Sequence, residues 1–373
     1  MPIAYKPSII IAALSSRIYV EAAVKAGYDV IAIDAFIDRD VEKLARKSFQ
    51  IDLIDNQLES CRLIEILNGL NLKRVIGFCY GAGFEKQTHL LREVNKRLLV
   101  LGNLATVIDN CKIPKRFFGT CKELDIPFPE VTYQRPMEGN DWVAKRIGGS
   151  GGGHIKPLID IAKSHDVNIY YQKQQQGVSI SCLFLASKYG VDVIGINEQW
   201  VNGSFIEPYR YGGAVSHADV SKKVKKRLIC YLSSLSDALG LIGINSCDAI
   251  YNGDDVYVLE INPRLSASMD LYPNANLMEM HIAACQNSLE ARDMGSSSGA
   301  VMSRAHQIVY AGQALKLKNN IIWPEWVRDV PAVGACLKEG APICTILAEA
   351  ETASLAKELL ADRVSTLARN FLN

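Results

Sequence analysis

Several features are missing from this 373-residue chain, and each absence closes a class of function. There is no excess of either charge, because 41 Lys and Arg stand against 40 Asp and Glu, so no global field steers the protein to nucleic acid or to an anionic membrane. No apolar run approaches the roughly 20 residues that a spanning helix needs. The short run SIIIAAL at 8–14 is followed by no small-residue cleavage site, so a secretory signal is not expected. The ten cysteines contain no CxxC pair and have no histidines at metal-ligand spacing, which disfavours structural zinc and predicts a reduced, cytoplasmic setting. After the first apolar run the turn reads Leu14-Ser15-Ser16-Arg17 and not GxGxxG, so a nicotinamide dinucleotide is disfavoured. No period of 20 to 50 residues suggests a solenoid.

What is present is a chain too long for one core, with 49% hydrophobic and 22% charged residues. Apolar runs at 8–14 and VIAID at 30–34 flank a stretch in which Ile18, Ala22, Ala23 and Ala26 keep helical spacing. Strand, helix and strand in short succession predict a parallel sheet. The pattern continues through helices near 57–69 and 84–96, the strand RVIGFCY and the run LLVLG, giving a small doubly wound domain over 1–103. A helical stretch then leads, past Pro127 and Pro129, into alternating strands. An amphipathic helix at 219–240 presents Val220, Val224, Leu228, Tyr231 and Leu235 on one face. Its lysines, with no aromatic residues between them, read as a solvated face. A serine- and glycine-rich linker, DMGSSSGAVMSR at 293–304, precedes a tail of short strands and a closing helix. The fold class expected is α/β and α+β, with a two-lobed unit over 104–290 (lobes 104–178 and 179–290) and a β-rich extension over 291–373.

Two stretches carry chemistry. In KRIGGSGGGHIKPL, at 145–158, Lys145 precedes a loop with almost no side chains. Bare backbone N–H groups at Gly149, Ser150, Gly151 and Gly152 can close on phosphate oxygens, although a mobile linker has the same composition. It is not a Walker loop, since His154 and Ile155 follow Gly153. In YVLEINPRLSAS, Glu260 and Asn262 share one face of a strand, and Arg264 continues it if the strand persists past Pro263. Asp248 lies on the partner strand of a hairpin turning at 252–255, where pairing brings it beside Glu260. Two carboxylates and a carboxamide form a hard-oxygen set of the kind Mg²⁺ or Mn²⁺ takes.

In order and spacing, Lys145, the loop Gly148–Gly153, the stretch 172–178 and E260-I-N262-P-R264 resemble the ATP-grasp superfamily. The tail at 323–350 resembles predicted ATP-dependent carboligases distantly related to biotin carboxylase and to the carbamoyl phosphate synthase large chain, some linked to coenzyme synthesis in one-carbon metabolism. The resemblance implies an N-terminal pre-grasp domain, ATP and a divalent cation as cofactors, and an ADP-forming carboxylate–amine ligase that works through an acyl phosphate. It implies that Lys145, and either Lys112 or Lys115, bind phosphate. Asp248, Glu260 and Asn262 would hold the metal, and Arg264 would steady the transferred phosphoryl group. Gln172, Lys173, Gln174 and Gln176 would form the nucleotide hinge, where many relatives carry acidic residues. Substrate contacts are expected among Ser15, Ser16, Arg17, Arg210, Ser266 and Ser268. Bicarbonate activation and a nucleotide-binding module without turnover stand as alternatives. Partners are small-molecule carboxylate and amine substrates, with no nucleic acid, no membrane, and a homodimer left open.

Overall fold

The computed structural model describes residues 6–137, 141–160, 168–290, 302–318 and 321–371. The first apolar run forms β1 (Ser8–Ala13), buried along its whole length because both of its faces are covered. Around it lie α1 (Arg17–Lys25), β2 (Asp29–Asp34), α2 (Arg39–Leu44), β3 (Lys47–Gln50), the hairpin β4 (Leu53–Ile54) and β5 (Gln57–Leu58), α3 (Ser60–Asn68), β6 (Val75–Tyr80) and α4 (Thr88–Asn95). The sheet has the order β3-β2-β1-β6, and every pairing is parallel. Ile9 and Ile11 face a cluster shared with Leu183, Leu185 and Met278, whereas Ile10 and Ala12 face α3 and α4 through Leu63, Leu67 and Leu91. One apolar surface of this sheet therefore packs directly on residues 183, 185 and 278, far along the chain. Two expectations need correction. Gln57 and Leu58 pair as a strand before the helix begins, and LLVLG contributes one bridge, Phe78 with Val100, and no strand.

The chain continues in two helices, α5 (Ala105–Lys112) and α6 (Pro114–Glu123), broken where Pro114 takes the first helical position. A four-stranded sheet comes next, from β7 (Val131–Thr132), β8 (Trp142–Arg146), β9 (Ile155–Pro157) and β10 (Ile169–Lys173), in the order β7-β10-β8-β9. The large sheet begins with β11 (Val178–Ser187), β12 (Gly190–Val201) and β13 (Tyr211–Val215). After α7 (Lys222–Leu239) it continues through β14 (Gly243–Asn252) and β15 (Asp255–Asn262), and α8 (Leu277–Cys285) closes this part. Ser221 caps α7 by accepting the Val224 N–H, and Gly240 ends it at φ +70. Val224, Leu228, Leu232, Leu235 and Leu239 bury its inner stripe against Ile180, Cys182, Phe184 and Cys247. Each such side chain contributes about 1.5–3 kcal/mol.

The tail supplies β16 (Ser303–Tyr310), β17 (Leu315–Lys316), β18 (Val327–Arg328), β19 (Cys336–Leu337), β20 (Pro342–Ala350) and α9 (Ala353–Phe371). Three of these strands extend the large sheet, whose order is β15-β14-β11-β12-β13-β16-β20-β18, antiparallel throughout. Most of the serine-rich segment, residues 291–301, lies outside the described residues, and its end, Ser303-Arg304, already belongs to β16 and not to a linker. The stretch GSFIEPYRYGGAV is a strand only over Tyr211–Val215. Among the described residues no helix is long and apolar enough to cross a membrane.

One buried histidine gives the fold an acid sensitivity. His281, 1% exposed, accepts the Ile244 N–H at Nδ1 and so donates from Nε2 to the Leu101 carbonyl. Burial pushes its pKa from 6.5 down to about 4. The folded side chain stays neutral while the unfolded one takes up a proton below 6.5, so stability is full above that pH and is lost as pH falls toward 4. Between pH 7 and 5 the wild type should lose about 2 kcal/mol from this residue. Guanidinium unfolding of wild type and His281→Gln at both pH values checks this, because the variant should lack that increment.

Candidate active site

The hairpin β14–β15 turns at Asn252–Asp255 and its register sets Asp248 opposite Glu260 and Ser246 opposite Asn262. The two carboxylates are therefore direct cross-strand neighbours on the sheet face that points away from α7. Asn262 Nδ2 donates to Asp248 Oδ2 at 3.0 Å, and Gln199 Nε2, from β12, reaches Asp248 Oδ1 at 3.4 Å. Lys112, 7% exposed on the last turn of α5, donates from Nζ to Glu260 Oε2 at 2.9 Å and to Asn262 Oδ1 at 2.7 Å. Lys115, one residue past the Pro114 break, is exposed.

Charges so close in a half-buried place cannot all behave as in water. Burial, then the facing Glu260 charge, raises the Asp248 pKa. Burial opposes ionisation of Glu260 too, but Lys112 and Lys145 overcome it and hold that group below the usual carboxylate range. Lys145, 9% exposed on β8, has its pKa lowered by burial, against the pull of Glu260 and Asp248. In the ladder it lies opposite Tyr170 of β10 and Ile155 of β9.

The glycine-rich loop joins β8 to β9, with Gly148, Gly151 and Gly152 at φ +70, +67 and +76. It lies down against the large sheet, where Tyr211 N–H donates to the Gly151 carbonyl at 2.9 Å. The His154 ring covers Gly149, its Nδ1 is buried without a partner, and burial takes its pKa down to about 4. Beneath the loop a small open cleft is lined by Lys112, Phe117, Arg146, His154, Tyr170 and Glu260. Gln172 lies two residues beyond Tyr170 and so shares its face of β10. It is 1% exposed and its Nε2 also lacks a partner. Further along the hinge, Lys173 is exposed beside Glu130 and Asp141, the Gln174 amide donates to the Tyr209 hydroxyl, and Gln176 is exposed.

Arg264 is held away from solvent, its Nε donating to Glu85 Oε1 at 2.7 Å and its guanidinium touching Asn262 Oδ1 at 3.5 Å. Neither Glu85 nor Gln199 is expected from the sequence. A signal for Glu85 exists: β1 is the point where the parallel sheet reverses its strand order, and the turns after β1 and β6 both border that crevice.

Most of the expected substrate contacts have other occupations. Ser15 is exposed, but Ser16 is buried and gives both its N–H and its hydroxyl to Asp34. Arg17 is fully buried, paired with Asp270 through two bonds of 3.0 Å, with Asp329 at 2.9 Å and with Glu21 at 3.2 Å. It is a structural cation and not an open substrate group, because these bonds are all directed at acids. Arg210 donates to the carbonyls of Asn202 and Gly340 and stacks 3.6 Å from the Tyr310 ring centre, so it ties the tail down. Ser266 and Ser268 are buried and bonded to each other at 3.0 Å.

Residues 116–268 match the model of the family described as the ATP-grasp domain. The chain carries an ATP-grasp domain. Its sequence is 23% identical over 270 residues to the carbamoyl phosphate synthase large chain of Clostridium acetobutylicum, covering 66% of this chain. The chain spans about a quarter of that relative's length, 24%. Among solved structures, the biotin carboxylase domain of the Hydrogenobacter thermophilus 2-oxoglutarate carboxylase, a dimer in complex with MgADP and bicarbonate, superposes with a TM-score of 0.72 at 12% identity, over 98% of this chain and 91% of that one. An L-amino acid ligase from Bacillus licheniformis gives 0.71 at 13% identity, over 96% of each. The likeness of fold to these structures extends over the strands beyond 268 and the parallel sheet before 116.

Proposed function

We propose that this protein is an ADP-forming ligase that activates a small-molecule carboxylate with Mg-ATP and joins it to an amine. The observation that carries the reading is the pair Asp248 and Glu260, opposed in register beside Asn262 and Lys112 and facing Lys145 and the glycine loop. The donors fit a divalent cation: two carboxylates opposed in register beside the Asn262 carboxamide are a hard-oxygen set, and burial together with the facing Glu260 raises the Asp248 pKa, a cost that a cation would relieve. Asp248, Glu260 and Asn262 would hold it, and when bound it supplies neutralisation of phosphate charge. A nucleotide is supported by two buried polar atoms without partners, His154 Nδ1 in the cleft lining and Gln172 Nε2 on the neighbouring stretch of β10, each of which wants a ligand group.

The chain's own residues then have defined tasks. Lys112 and Lys145 offset the charge of a triphosphate tail, and Arg264 faces the developing charge of the transferred group. The glycine loop excludes water so that an acyl phosphate is not hydrolysed before the amine arrives. Activation of bicarbonate in place of an organic carboxylate is a second reading, favoured by the similarity to the carbamoyl phosphate synthase large chain. ADP release from Mg-ATP, measured while carboxylates, amines and bicarbonate are varied singly, separates the two. Dependence on a carboxylate and an amine together supports the ligase, bicarbonate dependence alone supports the second reading, and failure to bind Mg-ATP by calorimetry overturns both.

The loop offers a mutational check. A Cβ at Gly152 would lie 1.9 Å from the Tyr209 carbonyl oxygen, on a backbone at φ +76 that side chains rarely adopt. The obstacle is backbone and cannot swing aside. Gly152→Ala should lower kcat/KM for ATP on the order of 10²-fold, because the loop no longer seats. Thermal unfolding should barely change, and an unaltered kcat/KM would remove the loop's assigned task.

A further inference from the structure

The residues at 263–265, which carry Arg264 past the end of β15, are held partly by their own neighbours, through the Arg264 N–H to the Asn262 carbonyl at 2.9 Å and Arg264 Nη1 to the Leu265 carbonyl at 3.0 Å, and partly by the N-terminal domain. The Tyr80 hydroxyl lies 3.2 Å from the Pro263 carbonyl, Leu265 N–H donates to the Tyr80 carbonyl at 3.3 Å, and the Tyr19 hydroxyl donates to the Leu265 carbonyl at 3.2 Å. The fourth contact is the ion pair between Arg264 Nε and Glu85 Oε1. Glu85 is itself fixed. Its Oε2 accepts the N–H groups of Gly83, at 2.8 Å, and Phe84, at 3.0 Å, in a turn that needs glycine at φ +114. Phe84 anchors that turn, edge-on to Phe78 and Tyr80. The carboxylate is 3% exposed, and the cations Arg264 and Lys112 keep it ionised against the cost of burial.

The same turn also touches the loop. A Cβ on Gly148 would lie 2.8 Å from the Lys86 side chain and 3.2 Å from the Glu85 carbonyl oxygen, so the first bend of the glycine loop rests on residues 85–86. One short turn after β6 therefore meets both the arginine and the loop.

We propose that Glu85 is a positioning residue for the reaction: its carboxylate aims the Arg264 guanidinium at the transferred group, while its turn seats the glycine loop. This rests on the reading of the site as an ATP-dependent ligase. A guanidinium has five donors in a rigid fork, so fixing Nε leaves the outer nitrogens with a defined direction. Without the Glu85 anchor only the bonds from Nη1 to the Leu265 carbonyl, at 3.0 Å, and from Nη2 to Asn262 Oδ1, at 3.5 Å, would hold the side chain, and misplacement by about 1 Å can cost 10²-fold. The inference makes the N-terminal domain part of the catalytic machinery.

The test uses the full chain with Glu85→Gln, which keeps the shape and removes the charge, and Glu85→Asp, which keeps the charge one methylene short. Three quantities are read: Mg-ADP affinity by calorimetry, kcat and KM for ATP from ADP release with the acceptors that stimulate the wild type, and the Arg264 conformation in crystals grown with Mg-ADP. Glu85→Gln should bind Mg-ADP within about twofold of wild type, as the metal ligands are untouched, and lose on the order of 10²-fold in kcat with little change in KM. Glu85→Asp should recover at least tenfold of that loss, and Arg264 should be turned from its wild-type position in the Gln variant alone. An unchanged kcat in Glu85→Gln, or joint loss of kcat and Mg-ADP affinity with no recovery in Glu85→Asp, overturns the proposal. If Glu85→Gln fails to fold, Glu85→Asp decides: a several-fold loss confined to kcat supports the proposal and wild-type kcat refutes it. A wild type that binds no Mg-ADP overturns the ligase reading and this inference with it, whereas an active wild type beside an unimpaired Glu85→Gln overturns this inference alone.

Discussion

Glu260→Gln should reduce ADP formation on the order of 10³-fold, equivalent to about 4 kcal/mol of lost stabilisation at 1.4 kcal/mol per decade. The substitution conserves volume and the ability to accept one hydrogen bond, so the β14–β15 ladder survives. What disappears is one of two anionic groups opposed in register, together with the charge that pairs with the Lys112 ammonium. Lys112 and Lys145 would then share a buried site with Asp248, whose pKa is already raised, and a divalent cation would meet net repulsion. Calorimetry should show weakened Mg-ATP binding, with unchanged far-UV circular dichroism. Full turnover by Glu260→Gln would show that the hairpin carboxylates serve only to neutralise Lys112.

Arg17→Ala should be the most damaging single change to stability. The guanidinium is 0% exposed and spends its donors on Glu21, Asp270 and Asp329, which come from α1, the turn before α8 and the tail. Removing it strands Asp270, itself 4% exposed, with only Arg304 at 3.7 Å and His306 at 3.8 Å for company. Breaking a buried pair from one side costs about 3–5 kcal/mol, because the remaining charge has lost its compensation. Calorimetric unfolding should report a fall in Tm of several degrees, and the surviving folded fraction should keep its KM for every acceptor. A variant with wild-type Tm and a raised acceptor KM would return Arg17 to the substrate-contact role that its position after β1 suggests.

Arg17 also marks where the sequence stops being legible. Its turn reads as polar and ligand-facing by a sound rule for open sheets, but two of its partners lie 253 and 312 residues away and no local pattern announces them. Glu85 and Arg264, 179 residues apart, are hidden in the same way. The hairpin is legible because its information is local: period-two alternation puts Glu260 and Asn262 on one face, and the turn at 252–255 fixes what stands opposite. The choice between Lys112 and Lys115 requires geometry. Pro114 restarts the helix, so lysines three residues apart, which a continuous helix would place on one face, point to different surroundings. The parallel sheet is readable from its buried runs. The start of α3 is not, since Asp55 and Asn56 at φ +51 and +58 make a tight turn that converts Gln57 and Leu58 into a strand.

The union of β13 with β16 has a practical corollary for anyone dissecting the molecule. A fragment stopped before residue 302 would end with Tyr211–Val215 as a raw border, its Gly213-to-Val215 amides and carbonyls stripped of their mates at 305–307, and with Val215 facing water where Ile346 and Leu360 had covered it. Such borders recruit one another between molecules. The segment matched by the family model is therefore unsuited to life as an excised module, and the stitch at 213–215 is the place where shortening turns a monodisperse preparation into a sticky one.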